Sequence, residues 1–279
     1  MSPHFQAFSF VDHIDSGQPG VDITGRYTVP AAVSEFSASL VAEAVGQLAA
    51  WSIMSAKSFA RRPLAGIAGR IELLAGVRPG QILDLAAEIE SLDDVAVVYR
   101  GAASADGIPV IRLYHCIGPM MASEQFDDPL ALQERFELLS GSGTAVGGFS
   151  DLPYFLLEVR RHVHGQSLVA DFQVPDEAPF FMDHFPRRPV FPGSLLMNQS
   201  LDLAELLAAD IPAPALDEKW VATRVEDVKL RTFIPPGESL ELEAQLTELE
   251  EYALTVVVET RRTGRITGSA QISLSSRRR

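Results

Sequence analysis

Two long stretches of this chain are apolar on nearly every face. Residues 37–54, SASLVAEAVGQLAAWSIM, and residues 193–209, GSLLMNQSLDLAELLAA, lack the wide polar side of a surface helix and predict helices buried on most sides. Elsewhere the pattern shortens to alternating runs ended by turn residues. AVVYRGAASADGIPVIRLYH and LTVVVETRRTGRITGSAQISL each read as two strands joined by a hairpin, with Gly107 and Gly264 at the turns. A third helix is predicted over 127–139, DDPLALQERFELL, and the Gly/Ser-rich SGSGTAVGGFSD (140–151) ends all periodicity and reads as a linker.

The pattern repeats within the chain. RIELLAGVRPGQILDL (70–85) and DVKLRTFIPPGESLEL (227–242) match at a shift of 157, which places Pro79-Gly80 on Pro236-Gly237 and Gly107 on Gly264. RYTVP (26–30) and DFQVP (171–175) match at a shift of 145, so the second copy carries about ten additional residues, in the segment containing APFFMDHFP. Each copy reads as strand, strand, apolar helix, then several strands, an α+β layout. Two copies predict a pseudo-dimer, with one unit over 1–140 and the other over 150–279.

Composition narrows the function classes. With 279 residues and 47% hydrophobic residues the chain can bury one large core or two ordinary ones. No apolar run reaches the roughly 18–20 residues of a membrane span, and MSPHFQAFSF lacks the basic and apolar regions of a secretory signal. The single cysteine, Cys116, forms no internal disulfide, and a reduced, cytoplasmic setting is expected. A net charge of -14 argues against a broad nucleic-acid-binding face while leaving room for a small basic patch.

The first apolar helix is interrupted by Glu43 and Gln47, four apart and therefore on one face. A charged, unpaired Glu there would cost several kcal/mol, which favours the protonated acid. At a shift of 155 the second helix carries Asn198 and Asp202 at these positions, and Gly193 in place of Ala38. Immediately before it stands FFMDHFPRRPVFPGSLLMNQS (180–200).

HFPRRPVFPGSLL resembles the motif of the 3-hydroxyacyl-carrier-protein dehydratases of the hot-dog fold, in which His opens an H-F-P-x-x-P-x-x-P-G segment and an acid follows fourteen positions later. In that family the His of one subunit meets the acid of its dimer partner. Here position fourteen after His184 is Asn198, while the first copy holds the acid and the Gln four residues on, as EAVGQ (43–47), but has Val29 where the His would align. The resemblance implies a double hot-dog chain with one composite site and a second that has lost both groups. It implies dehydration of a 3-hydroxyacyl thioester, a small acyl group borne on the phosphopantetheine of acyl carrier protein, with no metal or other cofactor. By the same resemblance His184 takes the C2 proton, Glu43 protonates the leaving hydroxide, and the Gly193 N–H faces the thioester oxygen. Gln47 orients Glu43 or contacts the hydroxyl, Phe185 and Phe191 contact the acyl group, and Arg187 and Arg188 lie at the tunnel mouth.

Other assignments compete. RRP occurs at 61–63 and 187–189 and reads either as exposed basic turns or as a docking patch for an acidic carrier protein. His162 and His164 have a spacing a metal uses, but no acidic or thiol partner stands at a matching spacing, and they read as surface residues. A catalytically inactive hot-dog that binds carrier protein, and an acyl thioesterase, remain as alternatives. An R-specific hydratase would need an Asp-x-x-x-x-His segment, which is absent. The resemblance is also compatible with association of whole chains into a homo-oligomer.

Overall fold

The computed structural model describes residues 5–145, 149–150, 152–153, 155–215 and 217–278. The first four residues, residues 146–148 and 151 of the Gly/Ser-rich linker, and Arg279 of the basic tail lie outside the described residues.

In chain order the elements are β1 (His13–Ser16), β2 (Asp22–Thr28), α1 (Ala38–Ala56), β3 (Arg61–Pro63), β4 (Ile67–Leu73), β5 (Ile82–Leu92), β6 (Ala96–Ala105), β7 (Ile108–Ala122) and α2 (Pro129–Ser140). There follow β8 (Leu157–Val163), β9 (Ser167–Gln173), α3 (Gly193–Ala208), β10 (Glu218–Leu230), β11 (Ser239–Leu249), β12 (Ala253–Arg262) and β13 (Arg265–Arg278). Strand pairing is antiparallel and runs β1-β2-β5-β6-β7-β4-β10-β13-β12-β11-β9-β8, with β3 attached to β7. Read from either end this order is the same sequence of equivalent strands. The fold is α+β, a double hot-dog, with α1 packed on the first sheet half and α3 on the second.

The seam between the halves is the β4–β10 pair, where Ile71 lies opposite Val225 and Ala68 opposite Val228. At a shift of 157 each of these pairs maps onto the other, so the seam has the self-complementary register of a twofold interface. The strands carry the expected alternation. On β5, Leu83, Leu85, Ala87 and Ile89 are buried and their neighbours are exposed, which turns one face toward α1. Leu40, Val41, Ala44, Val45 and Leu48 of α1 are buried in return, each large aliphatic worth about 1.5–3 kcal/mol. The β6–β7 and β12–β13 hairpins turn at Asp106-Gly107 and Thr263-Gly264, where φ is +53° and +75°, then +48° and +77°. Both central residues are left-handed, which is the turn geometry that Gly in the second place permits.

A smaller apolar cluster sits apart from the main core. Phe185 and Val190, from the segment between β9 and α3, pack with Leu64 and Phe126 of the first half. The His-bearing segment is thereby anchored across the halves, and Arg187 N–H adds a 3.0 Å bond to the Phe126 carbonyl.

Candidate active site

The ten additional residues of the second half form a loop whose purpose is visible in its hydrogen bonds. A short 3₁₀ turn over Pro179–Met182 leads to His184, whose N–H donates to the Phe180 carbonyl at 2.9 Å. Val190 N–H donates to the His184 carbonyl at 3.0 Å, and the imidazole Nδ1 lies 2.9 Å from the Val190 carbonyl. A carbonyl only accepts, so Nδ1 carries the proton and Nε2 of the neutral ring is left with its lone pair. The Phe185 ring stacks on the imidazole at 4.1 Å between centroids, and Phe8 meets its edge at 5.9 Å.

Glu43 comes from the other half. Gln47, one turn further along α1, donates from Nε2 to Glu43 Oε1 at 3.0 Å and to the Phe8 carbonyl at 3.0 Å, while its Oε1 accepts from Phe10 N–H at 2.8 Å. Both N–H donors of the Gln47 amide are thus used by protein, and its oxygen accepts one bond. It holds Glu43, and neither of its N–H groups is left for a substrate hydroxyl. The strap that fixes Gln47 is fixed in turn by the second half, since Asp183 accepts from Phe5 N–H at 2.6 Å and from Phe8 N–H at 2.7 Å.

Glu43 and His184 line one cavity of about 550 Å³, within the usual range for small-molecule sites. Its wall is mostly apolar and includes Trp51, Met54, Ile71, Leu113, Phe191 and Met197. Tyr99 and Cys116 add a buried polar pair to that wall, and burial pushes the Cys116 thiol up to about 12, so the pair is neutral. Burial holds the His184 pKa below its usual value of 6.5 and the Arg62 charge lowers it further, against the opposing pull of Glu43 and the Val190 carbonyl. The ring is therefore neutral near pH 7.

Arg62 is the main departure from the sequence-based expectation. RRP at 61–63 is not an exposed turn. It forms β3, and the Arg62 side chain is only 12% exposed. Its guanidinium lies 4.0 Å from the centre of the Phe185 ring and 3.5 Å from Asp127, while Nε and Nη1 have no well-formed hydrogen bond. Burial brings its pKa down to about 10 despite Asp127 and Glu43. The position was illegible because the ring it covers lies far along the chain, in the His loop.

A profile of the ApeI-like family, described as ApeI dehydratase, matches residues 160–267. The chain is 30% identical over 101 residues to a 3-hydroxyacyl-[acyl-carrier-protein] dehydratase FabZ of Acidovorax sp. (strain JS42), covering 35% of this chain and 70% of the relative. The chain belongs to the 3-hydroxyacyl-carrier-protein dehydratase family. Other dehydratases of that name are matched over as little as 59% of their length. Solved structures share the fold across both halves. A putative oleoyl thioesterase from Lactobacillus plantarum superposes with a TM-score of 0.59 at 11% identity, covering 93% of this chain and 99% of that one. A MaoC-like dehydratase gives 0.54 at 14% identity, covering 93% and 98%.

Within this dehydratase family frame the remaining expected residues fall as follows. Phe185 and Phe191 line the cavity. Gly193 opens α3, where the first N–H groups have no intrahelical acceptor, and it also lines the cavity. A Cβ there would stand 2.3 Å from Leu230 Cδ1, the end of a side chain that can turn aside. Arg187 and Arg188 are exposed and do not line the cavity; Arg231 and Phe233 do. Arg187 is turned to the first half, donating to the Glu124 carbonyl at 3.0 Å, and Arg188 lies 4.6 Å over the Phe233 ring, beside the cavity wall.

At the pseudo-symmetric position the chemistry is different. Val29, where a His would align, is fully buried. Asn198 accepts from Ser39 Oγ at 3.0 Å and donates to Asp202 at 3.1 Å. The carboxyl and the amide have exchanged places relative to Glu43 and Gln47. Ser39 itself corresponds to Ser194 at the shift of 155. The Ser194 hydroxyl is buried in the wall of the His184–Glu43 cavity and has no hydrogen-bond partner among the described residues. Sequence reasoning passed over Ser194 because only the repeat alignment, applied to the structure, sets it apart from the apolar helix around it.

Proposed function

We propose that this chain dehydrates a 3-hydroxyacyl thioester, carried on the phosphopantetheine arm of acyl carrier protein, to the trans-2-enoyl thioester at a single composite site. The observation that carries the reading is that His184 and Glu43, from different halves, line one largely apolar cavity. The base is His184 Nε2, free because Nδ1 is committed to the Val190 carbonyl. It removes the C2 proton, a task suited to a neutral imidazole near pH 7. Charge builds on the thioester oxygen, where the Gly193 N–H at the head of α3 stabilises it. The C3–O bond breaks as Glu43 delivers a proton from Oε2, since Oε1 accepts from Gln47. Water leaves, and the proton gained by His184 returns to Glu43 to reset the pair.

The docking of the carrier protein is assigned to the exposed cations Arg188 and Arg231 beside Phe233, with Arg187 adjoining. A negatively charged partner meeting an acidic chain needs such a local basic patch.

The test is turnover of 3-hydroxyacyl carrier protein by the purified chain, read as enoyl thioester formed and as free thiol released. Enoyl product without thiol supports dehydration. Thiol release moves the assignment to an acyl thioesterase, and carrier binding without either product moves it to a non-catalytic binding protein.

A further inference from the structure

We propose that His162, His164 and Asp210 form a binding site for a divalent transition metal such as Zn²⁺, joining the tip of the β8–β9 hairpin to the end of α3. The two imidazoles and the carboxylate lie within 4.8 Å of one another by their ligand atoms. His162 Nε2 is 2.6 Å from Asp210 Oδ2, and His164 Nδ1 is 3.1 Å from Asp210 Oδ1. Asp210 is itself held, because Gly165 N–H donates to Oδ2 at 2.9 Å and its side chain is only 11% exposed. Both imidazoles are exposed, which gives an ion a route in.

Two imidazole nitrogens, one carboxylate oxygen and one open position make a donor set that suits Zn²⁺ and its first-row neighbours rather than Mg²⁺ or Ca²⁺. Zn²⁺ bonds of about 2.0–2.2 Å put tetrahedral ligand atoms roughly 3.3–3.5 Å apart. The two His–Asp contacts need to open by under about 1 Å to admit the ion, which exposed rings on a hairpin tip allow. The Gly165 N–H bond to the carboxylate acts as the outer support that orients a metal-binding carboxylate.

The first half fastens the equivalent junction without charge or imidazole. There the corresponding β1–β2 hairpin is fastened to α1 by neutral bonds through Ser52, whose Oγ accepts from Gly20 N–H at 3.0 Å and donates toward the Asp22 and Gln18 carbonyls at 3.3 and 3.5 Å. The second half fastens the same junction with a carboxylate and then sets two imidazoles on it. The other His–carboxylate contacts among the described residues, His13 with Asp15 and His115 with Glu90, offer one imidazole each. None of the three proposed ligands lines the catalytic cavity.

The experiment titrates the full chain with Zn²⁺ at pH 7.5 against a chromogenic chelator. The same is done for His164→Ala, for Asp210→Asn, which keeps an acceptor for Gly165, and for the His13→Ala/His115→Ala control. The proposal expects one tightly held equivalent in the wild type and control, at least 10-fold weaker binding in the two ligand variants, and a melting temperature raised by roughly 5 °C at saturation in the wild type and control but not in the two ligand variants. Co²⁺ substitution is expected to give the visible absorption of a tetrahedral site. Dehydratase turnover should be the same in all four proteins, so failure here is separable from failure of the proposed reaction. Equal uptake by wild type and both ligand variants would overturn the site. So would no uptake at 100-fold excess over a micromolar dissociation constant, which would leave a His–Asp ion pair only.

Discussion

Ser39 on α1 donates a 3.0 Å hydrogen bond to Asn198 on α3, across the axis that relates the two halves. The same axis relates Ser194 to Ser39 and Glu43 to Asn198, yet the Ser194 hydroxyl is buried without a partner among the described residues. A lone buried hydroxyl costs about 1–3 kcal/mol, and Ser194 belongs to the wall of the cavity in which substrate oxygen atoms are expected. Ser194→Ala is therefore expected to leave the melting temperature unchanged or higher while lowering kcat/KM by roughly 3- to 10-fold, the worth of one neutral hydrogen bond. Ser39→Ala should do the reverse, losing about 1 kcal/mol of stability with little change in turnover. Equal effects of the two variants on kcat/KM would remove Ser194 from the site.

The catalytic pair makes a second pair of contrasting outcomes. His184→Ala and Glu43→Gln should each lower turnover by about 10²–10⁴, the usual contribution of a positioned acid or base. Asn198→Ala, at the pseudo-symmetric position, should leave turnover near normal. Circular dichroism and melting temperature establish that the variants fold. If Asn198→Ala were the more harmful, the working site would be the other one.

Much of this arrangement was legible in the chain because it is written in local spacing. The Pro-Gly turns at 79–80 and 236–237, the two apolar helices and the ten additional residues before Gly193 are contiguous patterns, and each maps onto an element of the fold. The composite nature of the site followed from a His in one repeat and an acid in the other. What stayed hidden depends on residues that meet only in three dimensions. Arg62 belongs to a basic triplet that looks solvated, and it is buried because Phe185 is inserted beneath it from the other half. Asp210 follows His164 by 46 positions, at the end of a helix, so no spacing rule connects it to the hairpin imidazoles.

Arg62 also carries a pH prediction. The charged groups around the His184 ring are Glu43 on α1, Arg62 on β3 and Asp183 beside it, with Asp127 next to Arg62. Catalysis needs the neutral imidazole, so kcat/KM should rise with pH through the His184 pKa, which lies below 6.5, and then level off. Burial is the larger cause of that lowering and the Arg62 cation the smaller. Arg62→Met keeps comparable bulk over Phe185 but removes the charge, so the midpoint of the acid limb should move to higher pH, with the greatest loss of activity at acidic pH. A purely structural role for Arg62 would lower kcat/KM at every pH and leave the midpoint where it was.

Division of the chain tests the composite site most directly. Residues 1–140 carry Glu43, Gln47 and the strap of Phe5, Phe8 and Phe10, but no His loop. Residues 150–279 carry His184 with Asn198 where the acid would be. Each half alone should be inactive even if it self-associates through β4 or β10. Mixed, the two should regain part of the activity, because the His loop docks on Phe126, Asp183 holds the strap, and the linker only raises the effective concentration. A sharper version changes the second half alone, with Asn198→Glu and Asp202→Gln restoring the acid and amide in the order found on α1. The second half has a strap residue of its own, since Phe155 matches Phe10 at a shift of 145 and lies 5.8 Å from Phe172, as Phe10 lies 5.5 Å from Tyr27. A homodimer of that variant should therefore show weak but measurable turnover that disappears when His184→Ala is added. Turnover by either unmodified half alone would show that catalysis does not depend on joining His184 to Glu43, and the single composite site would have to be given up.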